Sequence, residues 1–117
     1  MQVFKKGLKE ANNQNIKTME KIFLIYDEYR YDGVDEGTNI IACATMEIAI
    51  RKIKERLEWY LKNSYLNQFV DEQLNLIESK LIEYEIWEVE PDSVEIFIES
   101  KNTSLNLHIA EVGVIDE

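Results

Sequence analysis

A change of hydrophobic period near the middle of the chain most constrains what this sequence can fold into. Apolar residues recur at helical spacing through residues 46–63, whereas beyond residue 84 they recur at every second position. A period near 3.6 is typical of an amphipathic helix, and a period of two is typical of a strand with one buried face. The pattern therefore predicts helix first and antiparallel strands afterwards.

Two strand-like segments precede the helix. Residues 21–29 (KIFLIYDEY) and 39–44 (NIIACA) are short and rich in β-branched and aromatic residues. Residues 30–38 (RYDGVDEGT) between them contain Asp-Gly and Glu-Gly pairs, which are typical of loops. Together these segments predict a hairpin with a long acidic loop.

Thr45 is a good helix N-cap, and Glu47 complements the helix dipole. Apolar residues from Met46 to Leu61 then form one broad stripe that should pack on the sheet. Ile48, Trp59 and Leu66 fall near the opposite side at 100° per residue. Either the helix is covered on two sides, or it presents these three residues to a partner.

A second helix is predicted over residues 71–82, with Leu74, Ile77 and Leu81 as its apolar ridge, unless one long bent helix spans both segments. Strands follow at 84–90, 94–99 and 105–110, and residues 112–115 extend the last one. Pro91, Asp92 and Ser93 form a turn between the first two of these strands.

The predicted element order is ββααβββ. It indicates an α+β fold, a mostly antiparallel sheet of about five strands with one or two helices on one face. The 117 residues fit one domain at 19–117, preceded by a basic flexible arm at 1–18. With one cysteine, an internal disulfide framework and a cysteine-based zinc site are excluded. No signal-peptide or membrane-spanning pattern is evident, so we expect a cytoplasmic protein.

The charge balance is strongly acidic. Thirteen Lys and Arg face 23 Asp and Glu, a formal net charge of −10, which disfavours direct binding to nucleic acid or to an anionic membrane. The acids concentrate in the C-terminal half, and seven of them lie within residues 83–99.

No catalytic motif emerges. His108 and Cys43 are the only members of their residue types, and nothing in the sequence brings them together. The carboxylates of residues 27–36 do not match a calcium-loop spacing, and no phosphate-binding glycine motif is present. We expect no cofactor, no metal and no enzyme activity, with a carboxylate and divalent-cation enzyme as the minor alternative.

The acids of the C-terminal strands fall into rows. Glu88, Glu90 and Asp92 are spaced about 6.6 Å apart if the strand extends so far, and Phe97 lies between Glu95 and Glu99 on another face. Such rows resemble the charge spacing of a nucleic-acid backbone and could occupy a groove lined with Lys and Arg. The alternative is that they keep the outer sheet face soluble and guard its edges.

The segments IFLIYDEYRYDG, IIACAT, MEIAIRKIKERL and YEIWEVEPDS, within residues 20–93, resemble small accessory α/β proteins of phages and mobile elements. These include inhibitors of host defence of the anti-CRISPR type, several of which are small, acidic and non-enzymatic. The resemblance implies a protein that binds another protein, and it assigns no residue a role.

The hypothesis is a non-enzymatic inhibitor whose acidic surface occupies the cationic groove of a nucleic-acid-handling enzyme such as a Cas nuclease. Its partner-binding residues would be Asp32, Asp35, Glu36, Glu88, Glu90, Asp92, Glu95, Glu99, Trp59, Trp87 and Phe97. The alternative is a self-associating interaction or regulatory module, such as an immunity or phage accessory protein, in which Ile48, Trp59 and Leu66 are buried in a homodimer.

Overall fold

A computed structural model describes residues 19–115 as one five-stranded antiparallel sheet with one α-helix on one face. The strand order is β2-β1-β5-β4-β3. The predicted arm at residues 1–18 lies outside the described residues. The elements are β1 (Met19–Tyr31), β2 (Val34–Cys43), α1 (Met46–Asn63), β3 (Ile86–Glu90), β4 (Ser93–Ile98) and β5 (Thr103–Ile115). The α+β class and the antiparallel sheet are confirmed.

The first hairpin has a tight turn in place of the predicted long loop. β1 and β2 run on to a two-residue turn at Asp32 and Gly33, which have φ values of 53° and 80°. Two consecutive positive φ angles are typical of the type I′ turn that Asp-Gly favours, and its twist matches the flanking strands. Farther from the turn, Glu36 and Gly37 of β2 together lie opposite one residue of β1, which is a β-bulge.

The long pairing of β1 with β5 forms the centre of the sheet and runs from Met19↔Ile115 to Arg30↔Ser104. One face of the sheet is covered by α1 and the segment that follows it. The core lies between them and includes Ile25, Cys43, Ala49, Ile53, Leu61, Leu66, Phe69, Val94, Ile96, Ile98, Leu105 and Leu107. The inward positions predicted for β4 and β5 by period two are thus confirmed. Ile109 is half-buried, lies on the same face as Ile25 and packs against the core.

The helix begins as predicted, because the Thr45 hydroxyl accepts a hydrogen bond from the Ile48 backbone N–H at 3.1 Å. Its predicted stripe faces the sheet through Ala49, Ile53, Tyr60 and Leu61, which are buried. Met46, at the start of the stripe, is exposed.

The predicted second helix does not form. Residues 64–85 instead hold the short 3₁₀ helices Tyr65–Phe69 and Glu78–Lys80, linked by irregular chain. The Asp71 carboxylate accepts hydrogen bonds from the backbone N–H groups of Gln73 and Asn75, both at 2.9 Å. Such side-chain acceptors compete with helical hydrogen bonding. Leu74 then adopts a φ of 66°, which a helix excludes.

Leu66 does not lie on the outer side of α1, where its position in the helical repeat predicted it. α1 ends at Asn63, and Leu66 lies in the following 3₁₀ helix with its side chain completely buried. It therefore packs in the core and is not available to a homodimer. Ile48 is half-buried and also packs against the core, whereas Trp59 is 50% exposed.

Candidate functional site

No described element covers the sheet face opposite α1, which we call the open face. Because side chains alternate along a strand and Asp27 is buried against α1, the even-numbered residues of β1 lie on this open face. The register extends the assignment to the neighbouring strands. Among residues 21–113 the open face contains four glutamates, which we call the acidic patch: Glu28, Glu88, Glu90 and Glu95.

Glu88 of β3 and Glu95 of β4 are direct cross-strand partners. Side chains in such positions have Cβ atoms about 4.5–5.5 Å apart, and like charges there destabilise the sheet. Asn106 of β5 pairs with both Glu95 and Glu28, so Glu28 continues the same row two strands away, about 10 Å from Glu95. Among residues 21–113, none of these carboxylates forms an ion pair.

The other half of the open face is apolar, and we call it the apolar patch. It combines side chains of β1, the outer strand β2 and β5: Ile22, Leu24, Tyr26, Ile40, Ala42, Ala110 and Val112. Tyr26 stacks on His108 of β5 with ring centres 4.7 Å apart. Ile40 is 57% exposed, although it lies in the middle of a strand. The open face thus places an apolar surface beside an acidic one.

The structure separates the predicted partner-binding residues. Glu88, Glu90, Glu95 and the half-buried Phe97 share the open face. Trp87 lies on the opposite side of β3, is half-buried and packs near Phe69 with ring centres 6.2 Å apart, so it is not part of that surface. Sequence reasoning overlooked Glu28, although it is separated from the other acids by a single strand.

Two predicted rows end earlier than expected. β3 stops at Glu90, so Asp92 lies in the β3–β4 turn rather than in the strand. β4 stops at Ile98, and Glu99 opens a 3₁₀ turn, so it does not continue the row of Glu95 and Phe97. Both acids remain exposed.

The predicted acidic loop is the exposed end of the first hairpin. Asp32 lies in the turn, where its backbone N–H donates to the Thr103 hydroxyl at 3.1 Å. Asp35 lies on the open face and is 3.8 Å from Arg30. Glu36, at the bulge, lines a cleft on the opposite side of the sheet.

Sequence reasoning missed that cleft. It has a volume of about 550 Å³ and lies between α1 and the turn end of the β1–β2 hairpin. Five aromatic side chains line it, and we call it the aromatic cleft: Tyr29, Tyr31, Trp59, Tyr60 and Tyr65. Tyr29 lies 5.2 Å from Tyr60 between ring centres, and Tyr31 lies 5.7 Å from Tyr65. Trp59, predicted to contact a partner, belongs to this cleft and not to the acidic patch.

A buried ion pair lies beside the aromatic cleft. Asp27 is completely buried, and its Oδ2 accepts a hydrogen bond from Arg56 Nε at 2.6 Å. The Arg56 guanidinium carbon lies 5.6 Å from the Trp59 ring centre and 5.4 Å from that of Tyr60, within cation–π range. Among the described residues, Asp27 Oδ1 has no hydrogen-bond partner.

The environment of this pair shifts the pKa values of Tyr60 and of Arg56 itself. Burial, together with the nearby Asp27 carboxylate, raises the pKa of Tyr60 to about 12. Burial lowers the pKa of Arg56, but the Asp27 carboxylate and Tyr60 together raise it by more, so the guanidinium stays charged. The sequence does contain a signal for this site. Asp27 continues the alternation of Phe23, Ile25 and Tyr29 along β1, which places its carboxylate on the buried face.

The structure does not bring the two candidate nucleophilic groups together. Cys43 is buried on the α1 side of the sheet, whereas His108 is exposed on the open face. Within residues 21–113, no three His, Cys, Asp or Glu side chains are grouped closely enough to hold a metal ion.

No protein-family model, curated protein or solved structure matches this chain. In the described part of the chain, α1 and the shorter helices lack the length and apolar character needed to cross a membrane.

Proposed function

We propose that this chain is a non-enzymatic, cytoplasmic protein that binds and inhibits a nucleic-acid-handling enzyme, in the manner of anti-CRISPR proteins. The acidic patch enters a cationic groove that otherwise holds phosphates. The observation that supports this most is the Glu88–Glu95 cross-strand pair, with Glu28 in the same row and, among residues 21–113, no ion pair to any of the three.

A solubilising role would not require that arrangement. Acids that merely keep a sheet soluble can be interspersed with cations or staggered along the strands, and either pattern avoids the repulsion of directly opposed carboxylates. Concentrated negative potential on one face is useful when a basic surface meets it, because it accelerates association and excludes wrong partners.

The apolar patch suits the same role. Stable protein interfaces have an apolar centre and a polar rim, and charge contributes more to specificity and on-rate than to affinity. Ile40 and Tyr26 lie in the same cross-strand row as His108, next to the row of Glu28 and Glu95. The proposed partner therefore has a basic groove flanked by exposed apolar side chains.

The test is capture of enzymes from bacterial lysates that express a panel of Cas effectors and restriction enzymes. Three forms of the chain serve as bait: the unaltered protein, a face variant with Glu88→Lys, Glu90→Lys and Glu95→Lys, and a control variant with Glu58→Lys, Glu72→Lys and Glu83→Lys. Both variants change the net charge equally, but the control residues are exposed and lie outside the sheet. We expect the unaltered and control proteins to retain and inhibit an enzyme that the folded face variant releases.

The alternative, a self-associating module, is supported by the exposure of Ile40 on the outer strand β2. Outer strands with exposed apolar residues are ready templates for pairing with another chain. In that case the protein would be a dimer whose mass does not change with salt. Ile40→Lys would convert it to a monomer, and lysate capture would recover only the bait.

A further inference from the structure

The aromatic cleft lies on the α1 side of the sheet, away from the acidic patch, so its use is independent of the proposed inhibitory surface. Its volume of about 550 Å³ falls within the range of about 300–1,000 Å³ typical of ligand sites. The sequence contains 12 Phe, Trp and Tyr residues, and five of them line this one cleft. Such a concentration calls for a ligand with surfaces that pack on aromatic rings.

The polar groups in the cleft are mostly neutral. Tyrosine hydroxyls, the Trp59 indole and the side chains of Asn39 and Asn63 provide hydrogen-bond donors along a wall that is otherwise aromatic. The Asn63 amide already donates to the Trp59 carbonyl at 2.9 Å, which holds that side chain at the cleft. The lining therefore combines apolar ring faces with donors suited to isolated carbonyl oxygens.

The charges at the cleft disfavour an anionic ligand. The one cation that lines the cleft among the described residues is Arg56, and the Asp27 carboxylate neutralises it at 2.6 Å. Lys101 approaches the Tyr31 ring at 5.5 Å but does not line the cleft. Glu36 adds an exposed carboxylate. With Glu36 at the cleft and a net charge of −10 on the whole chain, a basic group is favoured there over a phosphate.

We propose that the aromatic cleft binds a proline-rich segment of another protein in the polyproline II conformation, with a basic residue of that segment against Glu36. This conformation has no internal hydrogen bonds, so its carbonyl groups are free to accept from the cleft donors. The proline rings of such a segment pack on aromatic walls. Because the segment is already extended before it binds, the entropy cost of ordering it is low. The occupant is a different protein, because this chain contains a single proline, Pro91, in the β3–β4 turn.

The probe is a synthetic peptide of eight prolines followed by two arginines, with blocked ends. Two peptides serve as comparisons: one in which alternating glycine and serine replace the prolines, and one of ten prolines without arginine. Affinities are measured by titration calorimetry at fixed salt. We expect the first peptide to bind at least tenfold more tightly than the glycine-serine peptide.

Matched variants locate the site. Trp59→Ala and Tyr31→Ala should each weaken binding of the arginine-containing peptide at least tenfold, which equals about 1.4 kcal/mol. Tyr84→Ala, at a tyrosine that is 75% exposed outside the cleft, should leave it unchanged. Glu36→Gln should weaken binding of the arginine-containing peptide and leave that of the ten-proline peptide unchanged.

Three results would overturn the proposal. These are no binding of either proline peptide, equal binding of the glycine-serine peptide, and undiminished binding by folded Trp59→Ala and Tyr31→Ala proteins. Binding of an oligothymidine in place of the peptides would show that the rings stack nucleobases instead. None of these results depends on the acidic patch, so the two proposals fail separately.

Discussion

Glu88 on β3 and Glu95 on β4 lie directly opposite each other across the outer pair of strands, and no described cation pairs with either. Cross-strand pairs contribute to sheet stability according to their charges, and two carboxylates in this position repel. The repulsion between Glu88 and Glu95 therefore lowers the stability of the fold. A basic residue at either position would remove this loss. We attribute that cost to the proposed binding of a basic partner.

Glu88→Lys should therefore stabilise the protein while weakening partner binding. The substitution converts a repulsive pair into an attractive one, and we expect the free energy of unfolding to rise by up to about 1 kcal/mol. Urea unfolding at low and high salt measures the change, and the gain should shrink as salt screens the charges. Glu72→Lys, outside the sheet, is the control and should change stability little. A loss of stability in Glu88→Lys would mean that the two glutamates do not repel.

The Asp27–Arg56 pair should respond unequally to loss of either partner. Arg56→Met leaves a completely buried carboxylate without its cation and should cost about 3–5 kcal/mol. Asp27→Asn should cost less, because the Arg56 side chain is 30% exposed and water can still solvate it. Urea unfolding of both variants and of the double variant tests this order. Equal losses would indicate that the buried charge is compensated elsewhere.

Stability should fall at alkaline pH through Tyr60. Its pKa in the folded protein is raised to about 12, whereas an unfolded tyrosine ionises near about 10. The neutral phenol is therefore favoured by folding. Its contribution is complete below about pH 10 and is lost as the pH rises from about 10 to 12. Unfolding experiments across this window should show a steeper loss for the unaltered protein than for Tyr60→Phe, and parallel curves would refute the shift.

Leu66 and Trp59 should differ sharply in their effect on stability. Leu66→Ala removes a completely buried side chain and should cost about 2–5 kcal/mol. Trp59→Ala alters a half-exposed ring and should cost much less. Urea unfolding measures both changes. A small loss for Leu66→Ala would place Leu66 on the surface, as its phase in the sequence suggested.

Much of the fold follows from local pattern. The Thr45 cap, the α1 stripe and the alternation of β4 and β5 are each specified by residues close in sequence, so they could be predicted. The second helix could not, because Leu74, Ile77 and Leu81 keep helical spacing while Asp71 holds the backbone in a turn. The Asp-Gly pair predicts the tight turn at Asp32 and Gly33. The polar residues on both sides of it are typical of a loop, so the sequence did not show that both strands continue to the turn.

The candidate sites were less accessible to sequence reasoning. The pairing of Glu88 with Glu95 depends on the register of the β3–β4 hairpin, and that of Glu28 depends on β5 lying between β1 and β4. The aromatic cleft combines side chains of β1, α1 and the following 3₁₀ helix, which no local spacing connects. The acidic patch and the aromatic cleft therefore both depend on contacts between elements that are distant in the sequence.

Competition with DNA tests whether the acidic patch occupies a groove that otherwise holds nucleic acid. The enzyme retained in the lysate capture is bound to the immobilised chain and challenged with increasing double-stranded DNA, at two salt concentrations. We expect that DNA displaces the enzyme and that higher salt weakens its retention, because the proposed acidic patch and DNA occupy one cationic groove. Retention that neither DNA nor salt reduces, or recovery of the bait alone, would contradict the claim that the acidic patch replaces nucleic acid.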